Sequence, residues 1–254
     1  MQPEKPQVIY GRKPILDALL AGQRFEKLLM QKGAEGEELQ RIKSAAAQQQ
    51  LSVQFVPKEK LDYITRPHSR GKEVNHQGVF GLVALIDYCS VDDLLNLAQS
   101  KGEDLLLVAL DGVTDVRNFG AIARSAECLG AHGMLLAEDF SAPVNAEALK
   151  ASAGALTRLA VCREKSLSSS IKYLKANGIQ IVAADMHGSV AAEQYEWKQP
   201  VVIVMGAEGS GVSPTIRKWC DAAVHIPMKG TTESLNVGVS AAIILYEALR
   251  QRSK

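Results

Sequence analysis

The chain lacks long apolar runs. Stretches such as 105–110 and 201–205 are strand-sized, far short of the roughly 20 residues that cross a bilayer. The first seven residues are polar and carry two prolines, unlike a signal peptide, so a cytoplasmic protein is expected. Cysteine is scarce: Cys89, Cys128, Cys162 and Cys220 are scattered and form no C-x-x-C pair. That spacing reads as reduced thiols and excludes a disulfide frame. The five histidines (His68, His76, His132, His187, His225) form no H-x-x-x-H motif and no Cys/His cluster, so no metal site is expected. No G-K-[ST] follows a glycine-rich loop, which removes the phosphate-binding P-loop. The glycines at 206, 209 and 211 run G-x-x-G-x-G, not the dinucleotide order G-x-G-x-x-G. They also come too late for a first β–α turn, which counts against a nucleotide-binding oxidoreductase. No internal repeat or long low-complexity tract is present.

Net charge is nearly absent as well, at +1, but it is unevenly spread. Residues 1–86 hold 13 Lys and Arg against 9 Asp and Glu, leaving 16 against 19 for the rest. A basic N-terminal part beside a slightly acidic remainder permits a polyanionic partner, and equally permits a chance imbalance on a solvated face.

What is present is an apolar fraction of 46% and a charged fraction of 22% over 254 residues, enough for one large domain or two smaller ones with a real core. Residues 8–86 alternate helix signals (13–21, 37–50, 58–64) with strand signals (25–30, 53–56, 79–86). A polar, basic, glycine-bearing loop is expected over 66–78. Together these make a small α/β unit, 1–86. Residues 87–104 read as a connector carrying a helix over 91–98. A second unit, 105–254, follows, with strands at 105–110, 133–137, 179–184, 201–205 and 223–226, and helices at 121–129, 168–176, 213–219 and 237–252. This alternation predicts a mainly parallel sheet covered on both faces.

Three segments share one grammar of strand end, polar glycine-bearing loop and helix start. They lie at Asp111–Arg124, at Val204–Ser213, and at Ile226–Ala242. Ligands bind beyond the carboxyl ends of strands in such sheets, so three such loops predict one composite site. Taken singly, each is weak. Asn118, Ser234 and Asn236 could be helix caps, Arg124 a surface ion-pair partner, and Glu208 a solvated turn residue. As functional groups, Arg124 would offer a planar fork of donors suited to a phosphate, and the glycines would let backbone approach a ligand.

The series N-F-G-A-I-A-R-S-A from Asn118, V-M-G-A-E-G-S-G-V-S from Val204, and I-P-M-K-G-T-T-E-S-L-N-V-G-V-S-A-A from Ile226 resembles the three signature motifs of the SpoU (TrmH-like) family. These are RNA ribose 2′-O-methyltransferases of the SPOUT superfamily. The similarity covers nearly the whole chain, and the N-terminal unit resembles the ribosomal-protein-like substrate-binding domain of the family's ribosomal-RNA branch. The resemblance implies a fold that periodicity would not give: an α/β domain with a deep trefoil knot, a device otherwise almost absent from proteins. It also implies a homodimer through the knotted domains and S-adenosylmethionine as methyl donor. The substrate would be RNA, specifically a guanosine ribose of 23S rRNA, with tRNA ribose methylation or a non-catalytic RNA-binding protein as the alternatives. By position, Gly206, Ile226 and Leu235 would meet the cofactor, Met205, Pro227 and Met228 would line the adenine pocket, and Asn118, Arg124, Glu208, Ser234 and Asn236 would be the polar working residues. Family proposals give Arg124 the role of base or of phosphate anchor. Its guanidinium pKa of about 12.5–13.8 favours the anchor.

Overall fold

The computed structural model describes residues 8–49, 51–66, 75–139, 141–231 and 234–253. Most of the basic loop expected over 66–78 lies outside the described residues, as do Thr232 and Glu233 of the third motif. The chain divides into two compact units, Met1–Asp87 and Tyr88–Lys254.

The first unit contains strands β1 (Val8–Tyr10), β2 (Phe25–Gln31), β3 (Val53–Val56) and β4 (Val79–Val83), and helices α1 (Arg12–Leu20), α2 (Glu37–Gln48) and α3 (Lys58–Thr65). Its sheet runs β1-β4-β2-β3, with the first two pairings antiparallel and β2–β3 parallel. Ile15, Leu19, Leu39 and Ile42 of α1 and α2 pack on Leu28 and Met30 of the sheet. On its other face Leu29 and Phe80 meet Leu61 of α3. Each strand thus sends alternate residues to opposite faces, as the period-2 geometry demands. β4 ends three residues before its expected limit, where the Ala84 N–H turns to the Arg24 carbonyl.

The second unit is an eight-stranded sheet. In chain order its strands are β5 (Tyr88–Cys89), β6 (Leu106–Asp111), β7 (Gly133–Ala137), β8 (Ala160–Glu164), β9 (Gln180–Ala184), β10 (Val190–Ala191), β11 (Val201–Gly206) and β12 (Ala222–His225). In space they run β10-β12-β9-β11-β6-β7-β8-β5, and every pairing is parallel. Helices α4 (Val91–Lys101), α7 (Leu167–Ala176) and α8 (Pro214–Arg217) share one face, where Leu94, Ala98, Ile171, Leu174 and Ile216 cover Leu107, Ala109, Ile181 and Val204. The alternate residues Leu106, Val108, Leu110, Ile203 and Met205 are buried too. Helices α5 (Val116–Cys128) and α9 (Val237–Arg252) pack against each other, with α5 also on β7 and α9 on β11.

Three findings correct the sequence reading. Residues 88–101 are not merely a connector: β5 pairs with β8 at the sheet edge, and α4 buries Leu94 in the second unit's core. A Ser90–Asp93 capping box starts α4 and left-handed Gly102 ends it. The segment 138–167, left without elements, contains α6 (Ala146–Ala151) and β8. These are too short, and β8 too charged at its end, for a period to show. Helix α5 begins five residues before the expected start, because Asp115 caps it by accepting the Asn118 N–H at 2.8 Å.

Candidate active site

Four neighbouring parallel strands, in the order β12-β9-β11-β6, bring the motifs that follow β6, β11 and β12 to one edge of the sheet. Gly206 at the end of β11 is in register with Asp111 at the end of β6, and β9 flanks β11 on the other side. After Gly206 the chain makes a tight return in which Ala207 and Gly211 exchange backbone hydrogen bonds of 3.1 and 2.9 Å. Gly209 and Gly211 both adopt positive φ there. The return is tied to β6 by the Ser213 N–H, which donates to Asp111 Oδ2 at 2.6 Å. Glu208 therefore projects from a short loop fixed at both ends.

The first turns of α5 and α9 complete a polar triangle with that loop. Asn118 Nδ2 donates to Glu208 Oε1 at 2.9 Å, and Asn236 Nδ2 donates to the same oxygen at 3.0 Å and to Asn118 Oδ1 at 2.9 Å. Asn236 Oδ1 meanwhile caps α9, accepting the Gly238 and Val239 N–H groups. Asn236 is thus a helix cap and a member of the triangle at once, one end of its side chain on the helix and the other on Asn118 and Glu208. Asn118 does not cap its helix, since Asp115 does. Two donors converging on one carboxylate oxygen are charge-assisted bonds, roughly twice as strong as neutral ones. They join residues 118, 208 and 236, which are far apart in the chain.

Beside the triangle lies a cavity of about 540 Å³ at the carboxyl ends of β9, β11 and β12, within the size range of small-molecule sites. Met205, Gly206, Glu208, Ile226, Met228, Ser234, Leu235 and Asn236 are among its lining residues. Pro227, Asn118 and Arg124 are not. Arg124 is exposed on α5 and makes no hydrogen bond or ion pair among the described residues. Glu208 accepts from the two asparagines and so is not a merely solvated turn residue. Met186, Met228 and Leu235, which line the cavity, are 45%, 42% and 39% exposed. Large apolar side chains gathered around a concave site at strand ends are a common mark of ligand binding.

The sequence reading missed several lining residues. Asp185, Met186 and His187 follow β9, Arg217 ends α8 and forms an ion pair with Asp185, and His225 Nδ1 lies 2.8 Å from the Gly188 carbonyl. The strand-end rule that located the other loops also covered residues 185–187. No glycine pattern drew attention to them. Asp111 was visible as a polar residue ending an apolar run, but its partner, 102 residues away, was not. Among the described residues no group of three or more His, Cys, Asp or Glu stands together in a metal-binding arrangement.

A parallel sheet with a cavity at its strand ends, walled by the loop after β11 and the start of a C-terminal helix, defines an α/β ligand-binding fold outside the dinucleotide-fingerprint class. Comparison with known proteins makes this specific. Residues 105–246 match the SpoU rRNA Methylase family, and residues 8–89 match the RNA 2′-O ribose methyltransferase substrate-binding domain. An uncharacterized tRNA/rRNA methyltransferase of Mycobacterium sp. (strain KMS) is 39% identical over 98% of this chain and 78% of its own length. One of Mycolicibacterium vanbaalenii is 40% identical over 97% and 77%. Among solved structures, the SpoU methyltransferase AviRb from Streptomyces viridochromogenes, in complex with AdoMet, superposes with a TM-score of 0.61 at 28% identity, covering 97% of this chain and 90% of that one. An AdoMet-bound rRNA methyltransferase from Sinorhizobium meliloti gives 0.60 at 28%, covering 96% and 86%. The chain belongs to the SpoU family of RNA methyltransferases.

Proposed function

We propose that this protein transfers a methyl group from S-adenosylmethionine to a ribose 2′-hydroxyl of 23S rRNA, at a guanosine. The cavity carries the reading: its volume, its backbone from three strand ends and its exposed methionine and leucine side chains fit a nucleoside with an amino-acid tail. Gly206, Ile226 and Leu235 offer backbone groups to it, and Met205, Met228 and the neighbouring Pro227 form the apolar wall against the base. Bound there, S-adenosylmethionine supplies a methyl group already activated on a sulfonium. What remains for the protein is to align the ribose oxygen and stabilise the charge that develops on it. Arg124, exposed and without a partner among the described residues, holds the phosphate of the target nucleotide and stabilises the developing alkoxide. The hydroxyl proton passes to a group other than Arg124, whose guanidinium has no free lone pair to accept it. Asn118, Glu208 and Asn236 hold the loops at fixed separation, with Ser234 at the rim facing the ribose.

Two observations favour rRNA over tRNA. The rRNA methyltransferase of Sinorhizobium meliloti covers 96% of this chain, whereas the TrmH/SpoU tRNA modifying enzyme of A. aeolicus covers 64% at 31% identity and a TM-score of 0.55. The match of residues 8–89 to a substrate-binding domain supports the reading that the first unit captures RNA. The trefoil knot belongs to the same reading. β12 lies two strands from β11, while α9 packs on β11 and α5, so the segment after β12 must return across the strand ends. A homodimer is part of it as well. Val239, Ile243 and Tyr246 form an exposed i, i+4, i+7 stripe on α9, 47%, 39% and 58% exposed, and border a groove with Ala121 and Ser125 of α5. A second copy covers this face. Sedimentation equilibrium at micromolar concentration should give a dimer, and a monomer would remove the pairing. No described helix is long and apolar enough to cross a membrane, and the four free thiols suit the reduced cytoplasm where rRNA is made.

The deciding experiment incubates the purified protein with S-adenosylmethionine and either 23S rRNA or tRNA, then maps 2′-O-methyls by resistance to alkaline hydrolysis. One resistant guanosine linkage in the rRNA is expected. A site in tRNA alone would move the substrate, and no site in either would refute methyl transfer.

A further inference from the structure

A basic cluster on the α7–α8 face is not used by the site described above. Trp219 follows α8, and two lysines gather on its ring: Lys172 Nζ from α7 and Lys218 Nζ each sit 5.5 Å from the indole centroid. The indole N–H donates to Ser168 Oγ at 3.2 Å, fixing the ring against the start of α7. Lys175 adds a third anchor, donating to the Trp219 carbonyl at 2.9 Å and pairing with Asp221. The two ammonium groups are thus held at defined positions by cation–π contact instead of swinging freely on their stems.

The nearby carboxylates are already engaged. Asp221 is bound to Lys175, Asp92 accepts the Tyr173 hydroxyl at 2.7 Å, and Asp185 is paired with Arg217. Lys172 and Lys218 are exposed and have no carboxylate partner among the described residues. Two like charges on one ring repel each other, and the arrangement becomes favourable when an anion joins them. Arg217, which lines the cavity, immediately precedes Lys218 in the chain.

We propose that this face is a second RNA-contact surface, on which Lys172 and Lys218 bind backbone phosphates of the RNA flanking the modified nucleotide, with the Trp219 ring as the fixed platform that positions both. The inference rests on the RNA-methylating reading and extends it. The face would carry the strand past the cavity without reading its sequence, since phosphate contacts position but do not specify.

The test measures rRNA binding by the full chain across salt concentrations, for the wild type, for Lys172→Gln/Lys218→Gln and for Lys172→Arg/Lys218→Arg. Each lost phosphate contact lowers the slope of log affinity against log salt by about 0.7 for single strands and 0.9 for duplex. The glutamine pair should therefore flatten the slope by about 1.4–1.8, with S-adenosylmethionine affinity unchanged as the check on folding. The arginine pair should keep the wild-type slope. Should the glutamine pair lose S-adenosylmethionine affinity, Lys218→Gln alone is read, with an expected flattening of about 0.7–0.9. An unchanged slope in a variant that still binds S-adenosylmethionine overturns the surface while leaving the RNA reading intact. A wild type that does not bind rRNA overturns both. A slope that flattens only when an acidic protein replaces the rRNA assigns the face to a protein partner and overturns the proposal.

Discussion

Replacing Arg124 by alanine is expected to lower methyl transfer by about 100- to 1,000-fold, the loss typical when one donor to a developing oxyanion is removed. S-adenosylmethionine affinity should stay within about threefold, since the cavity lining does not include Arg124. The residue is exposed, sits in the middle of α5, and spends no hydrogen bond on the described protein, so its removal leaves no buried partner unsatisfied and the fold should be indifferent. Those conditions make the experiment clean. Single-turnover methylation and calorimetry on the same preparation give the two readouts. Equal losses in rate and cofactor affinity would show that Arg124 builds the cavity instead of serving the substrate, and the phosphate-anchor role would fall. Glu208 offers a contrast in the same assay. Its Oε1 accepts from both Asn118 and Asn236, and a glutamine can still present an oxygen there. Glu208→Gln should therefore retain most activity where Glu208→Ala loses it. Activity lost equally in both would give the negative charge a part in the chemistry.

The sequence made the parallel sheet legible because its central strands are continuous apolar runs of the length that only a doubly covered strand requires. The composite site was legible for a related reason: polar and glycine residues following such runs must lie at one edge of the sheet. What stayed hidden was set by contacts distant in the chain. Gly120, just before the expected start of α5 at residue 121, is a poor helix residue. In the fold, a Cβ at Gly120 would stand 2.4 Å from Ala151 Cβ and 2.9 Å from the Ser152 nitrogen, so tertiary packing chose glycine against local propensity. The cap that starts the helix earlier, Asp115, was one of several polar residues in the loop. Two-residue strands such as β5 and β10 have no period to read. The cavity wall formed by residues 185–187 and 217 includes an ion pair between Asp185, just past β9, and Arg217 at the end of α8, which no local pattern announces.

Gly206→Ala is the second large effect expected, and it acts through the backbone. A Cβ built on Gly206 would fall 2.1 Å from the Gly211 carbonyl carbon, 2.2 Å from the Val212 nitrogen and 2.4 Å from the Gly211 oxygen. These are main-chain atoms, and little around them can yield. Ala207 and Gly211 bond each other in both directions, Val212 is buried, and Ser213 is tied to Asp111. The methyl group must therefore push the whole 207–213 return away from β11, taking Glu208 out of reach of Asn118 and Asn236. Overpacking of this kind costs about 1–3 kcal/mol, which for a unit of this size corresponds to a fall in melting temperature of about 2–12 °C. Cofactor affinity should fall further than that strain alone predicts, by at least about 100-fold, because the return is itself a wall of the cavity. Gly209→Ala is the control. It lies in the same return with positive φ but nothing within 4 Å of its Cβ position, so it should show only the backbone penalty of about 1–2 kcal/mol and a smaller loss of binding. If Gly206→Ala bound S-adenosylmethionine as the wild type does and melted at the same temperature, the close approach of β11 to its own return could not be what shapes the cavity.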